Sequence, residues 1–276
     1  MAKEKERREE LIGKLTLFDD ELMSKVFDEN IEATEYLIKT ILGKKKLEVK
    51  QVKGEYRINS PRVGGRSITL DILAVGTGGR EFDVEVQNDA PGAHVRRARF
   101  HSSMMDSRML RENQELREIK DSYVIFIYRH DKFRLGLPVY HIERFVKEAG
   151  KEFGDGSHII YVNGKYKGSG AIGRLIHDFH CQRSEEMYSS QLAKGVKHFK
   201  ETEEGREEMS DIVERYAEER EKRGEKRGEK KGEKRAVVKN VRSLMETMKW
   251  NVEQALDALK INEKKEREAI IKAVQG

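Results

Sequence analysis

Two acids sit inside segments patterned as buried strands. Asp71 interrupts the apolar run Ile68-Thr69-Leu70-Asp71-Ile72-Leu73-Ala74, and Glu85 lies within Phe82-Asp83-Val84-Glu85-Val86-Gln87. An ionised carboxylate removed from water costs several kcal/mol unless a charge or a metal compensates it. A chain with acids in two successive strand-like runs must therefore fold so that both find compensation, and a divalent cation is the simplest source. If Thr77-Gly78-Gly79 is a three-residue hairpin loop with a left-handed glycine, Gly76 pairs with Arg80 and Asp71 falls opposite Glu85. Side chains alternate along a strand, so Asp83, Glu85 and Gln87 share one face while Phe82, Val84 and Val86 share the other. A four-residue loop, Gly76 to Gly79, would instead put Asp71 and Glu85 on opposite faces. Carboxylates on one face of a hairpin are also commonly just solvated, a reading open to Glu81 and Asp83.

Asp71, a glycine-rich turn and Glu85-x-Gln87 resemble the PD-(D/E)XK nuclease superfamily, whose motif places an acid on one strand and acid-x-Lys on the next. The chain is more closely similar to the Rpn-like, transposase-associated branch, in which glutamine commonly replaces the lysine. The resemblance extends through Leu17-Phe18-Asp19-Asp20-Glu21-Leu22-Met23, Arg97-Ala98-Arg99-Phe100-His101-Ser102-Ser103-Met104-Met105-Asp106, Tyr123-Val124-Ile125-Phe126-Ile127 and Gly136-Leu137-Pro138-Val139-Tyr140. It covers about residues 15 to 200. It implies an α/β fold of the restriction-endonuclease type, a mixed central sheet flanked by helices, with a charged helical C-terminal extension. It also implies a metal-dependent DNA endonuclease linked to mobile elements or recombination, using Mg²⁺ or Mn²⁺ held by Asp71, Glu85 and the Val86 carbonyl. Gln87 would orient water or bind phosphate without supplying the lysine's charge. Arg97 or Arg99 would take over part of that role on DNA, since guanidinium pairs well with phosphate. Asp20 lies in the helix that often lines this family's site, although an ordinary helix-start carboxylate explains it equally well. His101, four residues beyond Arg97, reads as a surface or hydrogen-bonded histidine rather than a general base. The other class of function is a catalytically weak nucleic-acid-binding or partner-binding protein on the same scaffold, since fold alone does not fix activity.

Composition bounds the rest. Fifty-five basic residues are nearly balanced by 50 acidic ones, so distribution along the chain says more about nucleic acid than the net charge does. The single cysteine, Cys181, excludes an intramolecular disulfide and offers no Cys-x-x-Cys zinc pattern. No run approaches the ~18 apolar residues of a membrane span and Met1 to Glu10 is highly charged, so a cytoplasmic protein without membrane contact is expected.

Residues 1 to 14 read as a charged N-terminal arm, 15 to 200 as the nuclease-like domain, 201 to 235 as a charged linker and 236 to 276 as a small helical tail. Apolar spacing predicts one or two helices over Asp19 to Leu42 with a break near Asn30, an extended segment over 45 to 58, a helix over about Ala93 to Glu118 and a central strand over Tyr123 to Tyr128. In the Ala93 helix, Val95, Ala98, Ser102, Met105 and Met109 form the expected packed stripe, with Arg97, His101 and Arg108 on another face. Ser157 to Val162 reads as a further strand and Ile172 to Phe179 as a helix. Residues 201 to 221 carry ten acids and three bases, whereas 222 to 235 carry eight bases and three acids within an Glu-Lys-Arg-Gly type repeat. Its glycines each cost ~1 kcal/mol in a helix, favouring a fraying helix or solvated spacer over a nucleic-acid clamp. Three short helices are expected in the tail, with Asn251 and Asn262 starting the second and third, available for self-association or DNA contact.

Overall fold

The computed structural model describes residues 2–275. The chain divides into two units, Met1–Val213 and Glu214–Gly276. In the first, α1 (Ala2–Lys14), α2 (Asp20–Phe27) and α3 (Ile31–Leu42) precede β1 (Val49–Ile58), β2 (Ile68–Gly76) and β3 (Glu81–Gln87). Then come α4 (Val95–Met109), β4 (Ser122–Tyr128), β5 (Val139–Ile142), β6 (Phe145–Val146), β7 (Lys151–Glu152), β8 (Ser157–Asn163), α5 (Ala171–His180) and α6 (Ser190–Glu201). The break between α2 and α3 has a local cause: Asn30 caps α3 by accepting from the Ala33 N–H at 3.0 Å.

The six-stranded sheet has the order β1-β2-β3-β4-β8-β5 and is mixed. β1, β2 and β3 form an antiparallel meander, β3, β4 and β8 run parallel, and β5 returns antiparallel to β8. All seven residues of β4 are buried, because parallel strands on both sides and cover on both faces leave no solvated side. One face carries Leu73, Val124, Phe126 and Tyr161, packed with Ala98 and Met105 of α4. The other face of β3, Phe82, Val84 and Val86, is also buried. Helices α2, α3, α5 and α6 pack together, and α2 and α3 lie against β1. The short strands β5 to β7 were not expected from the sequence.

The hairpin that carries the acids has the three-residue connection. Gly76 N–H donates to the Arg80 carbonyl at 2.8 Å, Ile72 stands opposite Val84 and Leu73 opposite Asp83. Gly78 and Gly79 adopt φ of 80° and 79°, which a side chain would strain. Extended by one residue, this register sets Asp71 against Glu85.

The helix α7 runs from Glu203 to Met248, through the glycine repeat, and the division between units falls within it. In the second unit the end of α7, α8 (Val252–Ala258) and α9 (Lys264–Gln275) close around Val241, Ala255, Leu256 and Ile270. Asn251 starts α8 through a reciprocal cap with Gln254, both bonds 2.9 Å long. The last helix begins at Lys264, two residues after Asn262.

Candidate active site

β3 presents a row of acids to α4, and α4 returns a base to each. Arg97 Nη2 donates to Glu85 Oε2 at 2.6 Å, His101 Nδ1 lies 2.8 Å from Asp83 Oδ2, and Arg108 Nη1 pairs with Glu81 Oε2. Intervals of four and seven residues keep the three bases on one stripe of the helix. Four helical residues advance about 6 Å, close to two residues of strand, which matches the step from Arg97 to His101 with that from Glu85 to Asp83, while the seven residues on to Arg108 advance about 10 Å and its long side chain spans the difference to Glu81. The reading of Asp83 and Glu81 as solvated is thereby overturned: they are 0% and 8% exposed. The Arg97, His101 and Arg108 face is real, but it is turned to the sheet, and His101 is buried beside Ala98, Ser102 and Met105 while Val95 is exposed.

The tautomer of His101 follows from its neighbours. Arg97 Nε–H donates to His101 Nε2 at 3.2 Å, and arginine has no acceptor, so Nε2 is bare and Nδ1 carries the proton given to Asp83. Burial, the dominant cause, lowers the His101 pKa, so the ring is neutral. Although Asp83, Glu85 and His101 donor atoms cluster within 4.8 Å, a protonated Nδ1 cannot ligate an ion. We therefore read this cluster as a hydrogen-bonded relay that aims Arg97.

At the open end of the hairpin the backbone ladder gives way to side chains. Beyond the Ile72–Val84 pair, Asp71 N–H donates to Glu85 Oε1 and Val86 N–H donates to Asp71 Oδ2, both at 3.1 Å. The Gln87 carbonyl accepts from Arg129 N–H, beyond the end of β4. Strand alternation then turns the Val86 N–H and carbonyl toward β2 and Asp71. Gln87 bridges the group, with Nε2 3.2 Å from Glu85 Oε2 and Oε1 3.4 Å from Arg97 Nη1. Gly92 allows this, since a Cβ there would lie 1.9 Å from Gln87 Oε1.

Electrostatically the pocket holds more negative charge than it neutralises. Burial, then the charges of Glu85 and Asp20, raise the Asp71 pKa well above the usual carboxylate range. Burial, then the Asp71 charge, do the same to Asp83. Burial, then Asp83, push Glu85 up to about 8 although the Arg97 charge pulls it back. Asp83 Oδ1 is buried without a donor among the described residues, and a hydrogen bond with Glu85 contributes to Asp83's acidity. A proton held between these two carboxyls satisfies both observations. The structure brings together Asp71, Glu85, Val86, Gln87 and Arg97, with Asp20 in the first turn of α2 close enough to act on Asp71. Arg99 is on the exposed side of α4, and among the described residues no hydrogen bond or ion pair joins its side chain to these acids. Asp83 and His101 were missed as partners, though strand alternation already put Asp83 on the Glu85 face.

The family model for the PD-(D/E)XK nuclease family transposase matches residues 22–166, more than half of the chain. The chain belongs to this family. The PD-(D/E)XK assignment agrees with the mixed sheet and flanking helices. Comparison with curated proteins and with solved structures finds no match. Among the described residues, no helix of this PD-(D/E)XK protein is long and apolar enough to cross a membrane.

Proposed function

We propose that this protein is a metal-dependent DNA endonuclease associated with mobile elements or recombination. The observation that carries the reading is the excess of carboxyl groups: Asp71, Asp83 and Glu85 share one largely dry pocket, and of the three Arg97 is bonded to Glu85. The donor set of Asp71, Glu85 and the Val86 carbonyl is all oxygen, which fits Mg²⁺ or Mn²⁺. Held there, such an ion would supply Lewis-acid activation of water and of the phosphodiester. Gln87 supplies an amide for orienting water or a phosphate oxygen. Arg97, one-third exposed, supplies the fixed positive charge that the family's lysine would bring, and Asp83 and His101 hold it in place. Asp20 is an additional acid at the rim, and Arg99 a contact for the DNA backbone outside the pocket.

A second reading has an observation of its own. Arg97 engages Glu85 at 2.6 Å and Gln87 stands where the superfamily has lysine, an arrangement suited to a catalytically weak scaffold that binds nucleic acid or a partner. Nicking of supercoiled plasmid with Mg²⁺ or Mn²⁺, with an EDTA control, separates the two. Cleavage by the wild type that is lost in folded Asp71→Ala and Glu85→Ala supports the nuclease. Equal cleavage by all three proteins, or none by the wild type with DNA binding retained, supports rejection of the catalytic assignment.

A further inference from the structure

The end of α5 gathers three donor atoms of different kinds, outside the residues matched to the family. His177 Nδ1 is 3.4 Å from Cys181 Sγ and 3.4 Å from Asp178 Oδ1, and the three donors lie within 4.8 Å of one another. A 3.4 Å nitrogen–oxygen separation is long for a hydrogen bond. Cys181 Sγ is 4.0 Å from His177 Nε2 as well as 3.4 Å from Nδ1, so the sulfur sits beside the ring, and a turn of the half-exposed His177 side chain would aim a ring nitrogen between the sulfur and the carboxylate.

The surroundings favour a cation as well. Asp178 is fully buried and Cys181 is 7% exposed, whereas the His177 side chain is 47% exposed, so the cluster has a dry floor and one open side. The Asp178 oxygens accept from Tyr188 N–H and Ser189 N–H, each at 2.8 Å, which aims the carboxylate and leaves each oxygen a further lone pair. The carbonyl end of α5 points the same way, since a helix C-terminus favours positive charge.

We propose that His177, Asp178 and Cys181 form a second cation site, selective for a thiophilic divalent ion of the Zn²⁺ type. Thiolate and imidazole favour such an ion over Mg²⁺, the reverse of the all-oxygen set at Asp71 and Glu85. Binding displaces the Cys181 thiol proton to solvent and fastens the end of α5 to the Tyr188–Ser189 segment through Asp178. The remaining position belongs to water or to an exogenous ligand on the His177 side. This inference does not depend on the nuclease reading.

Co²⁺ titration of the full-length, metal-stripped protein tests it. Cys181 is the single cysteine of the chain, so a thiolate-to-cobalt charge-transfer band in the near ultraviolet reports this site alone. The expected result is a band that saturates at one Co²⁺ per chain, is displaced by Zn²⁺ but not by excess Mg²⁺, and is unchanged in Asp71→Ala. His177→Ala changes a half-exposed side chain and keeps the fold, and it should weaken Co²⁺ binding by about tenfold or more through loss of one ligand. Absence of the band in the wild type, or unchanged affinity in His177→Ala, overturns the proposal.

Discussion

Glu85 keeps its proton to about pH 8 in the fold, and that makes metal-free stability depend on pH. Its folded pKa is raised above the unfolded 4.5, so its favourable contribution is full below that value and is lost as pH rises through 8. The loss amounts to a few kcal/mol at about pH 9 relative to about pH 5. Urea melts of the EDTA-treated protein should show this decline, Glu85→Gln should flatten it, and added Mg²⁺ should restore most stability at the alkaline end. A flat profile in the wild type would count against the buried-acid account. Lys200 is a second residue whose surroundings decide its effect. It is 7% exposed, and its Nζ donates to the carbonyls of Gly13 at 3.0 Å, Leu15 at 2.6 Å and Gln182. Lys200→Met keeps the volume but leaves three carbonyls without a donor, so it should cost about 2 kcal/mol. Chemical denaturation measures this, and an unchanged midpoint would show that water replaces the ammonium.

Between α4 and β3 the unit of organisation is the paired row rather than the single residue. Gly92 belongs to the loop that joins them, and Gly92→Ala should push Gln87 off Glu85 and Arg97, because the new methyl overlaps Gln87 Oε1. Loss of metal-dependent cleavage by about tenfold with little change in melting temperature is expected, read by plasmid nicking and thermal melting, and full activity would remove Gln87 from the mechanism. Much of this region was legible in the sequence. The period of two and the turn chemistry are local, so the hairpin, its three-residue connection and the convergence of Asp71, Glu85 and Gln87 followed from the 17 residues between Asp71 and Gln87 inclusive. The helix α4 was readable from its period, although it ends at Met109 and does not run on to Glu118 as expected, and the surface it would meet was not readable. Whether Arg97, His101 and Arg108 faced water or Asp83 and Glu81 depended on how the helix was laid across the sheet, a tertiary matter that propensity does not encode. Strands β5 to β7 escaped for another reason: at two to four residues each they are too short to establish a period.

At the scale of the molecule the two units make the tail separable. A chain ending at residue 221 keeps Met209 and Val213, the apolar side chains of α7 buried in the first unit, and should melt within a few degrees of the full protein. If the basic stretch 222–235 contacts phosphates, the truncated protein should bind DNA more weakly and with a shallower salt dependence, because fewer counterions are released. Light scattering on the same protein tests self-association through the second unit, and unchanged binding, salt slope and mass would reduce the tail to a passive extension. The Lys200 clasp also has a consequence in time. Its bonds to Gly13 and Leu15 close loops of 187 and 185 residues, whereas Arg97–Glu85, Asp71–Glu85 and His101–Asp83 close loops of 12, 14 and 18. Closure entropy grows with loop length, so the hairpin and α4 can assemble early, while the clasp forms only when the two ends of the unit finally meet. An interaction absent from the transition state acts on the unfolding rate. Lys200 is thus a brake on opening: without it the chain should refold at its usual speed and come apart faster, from its ends inward, with the acid pocket the last part to open.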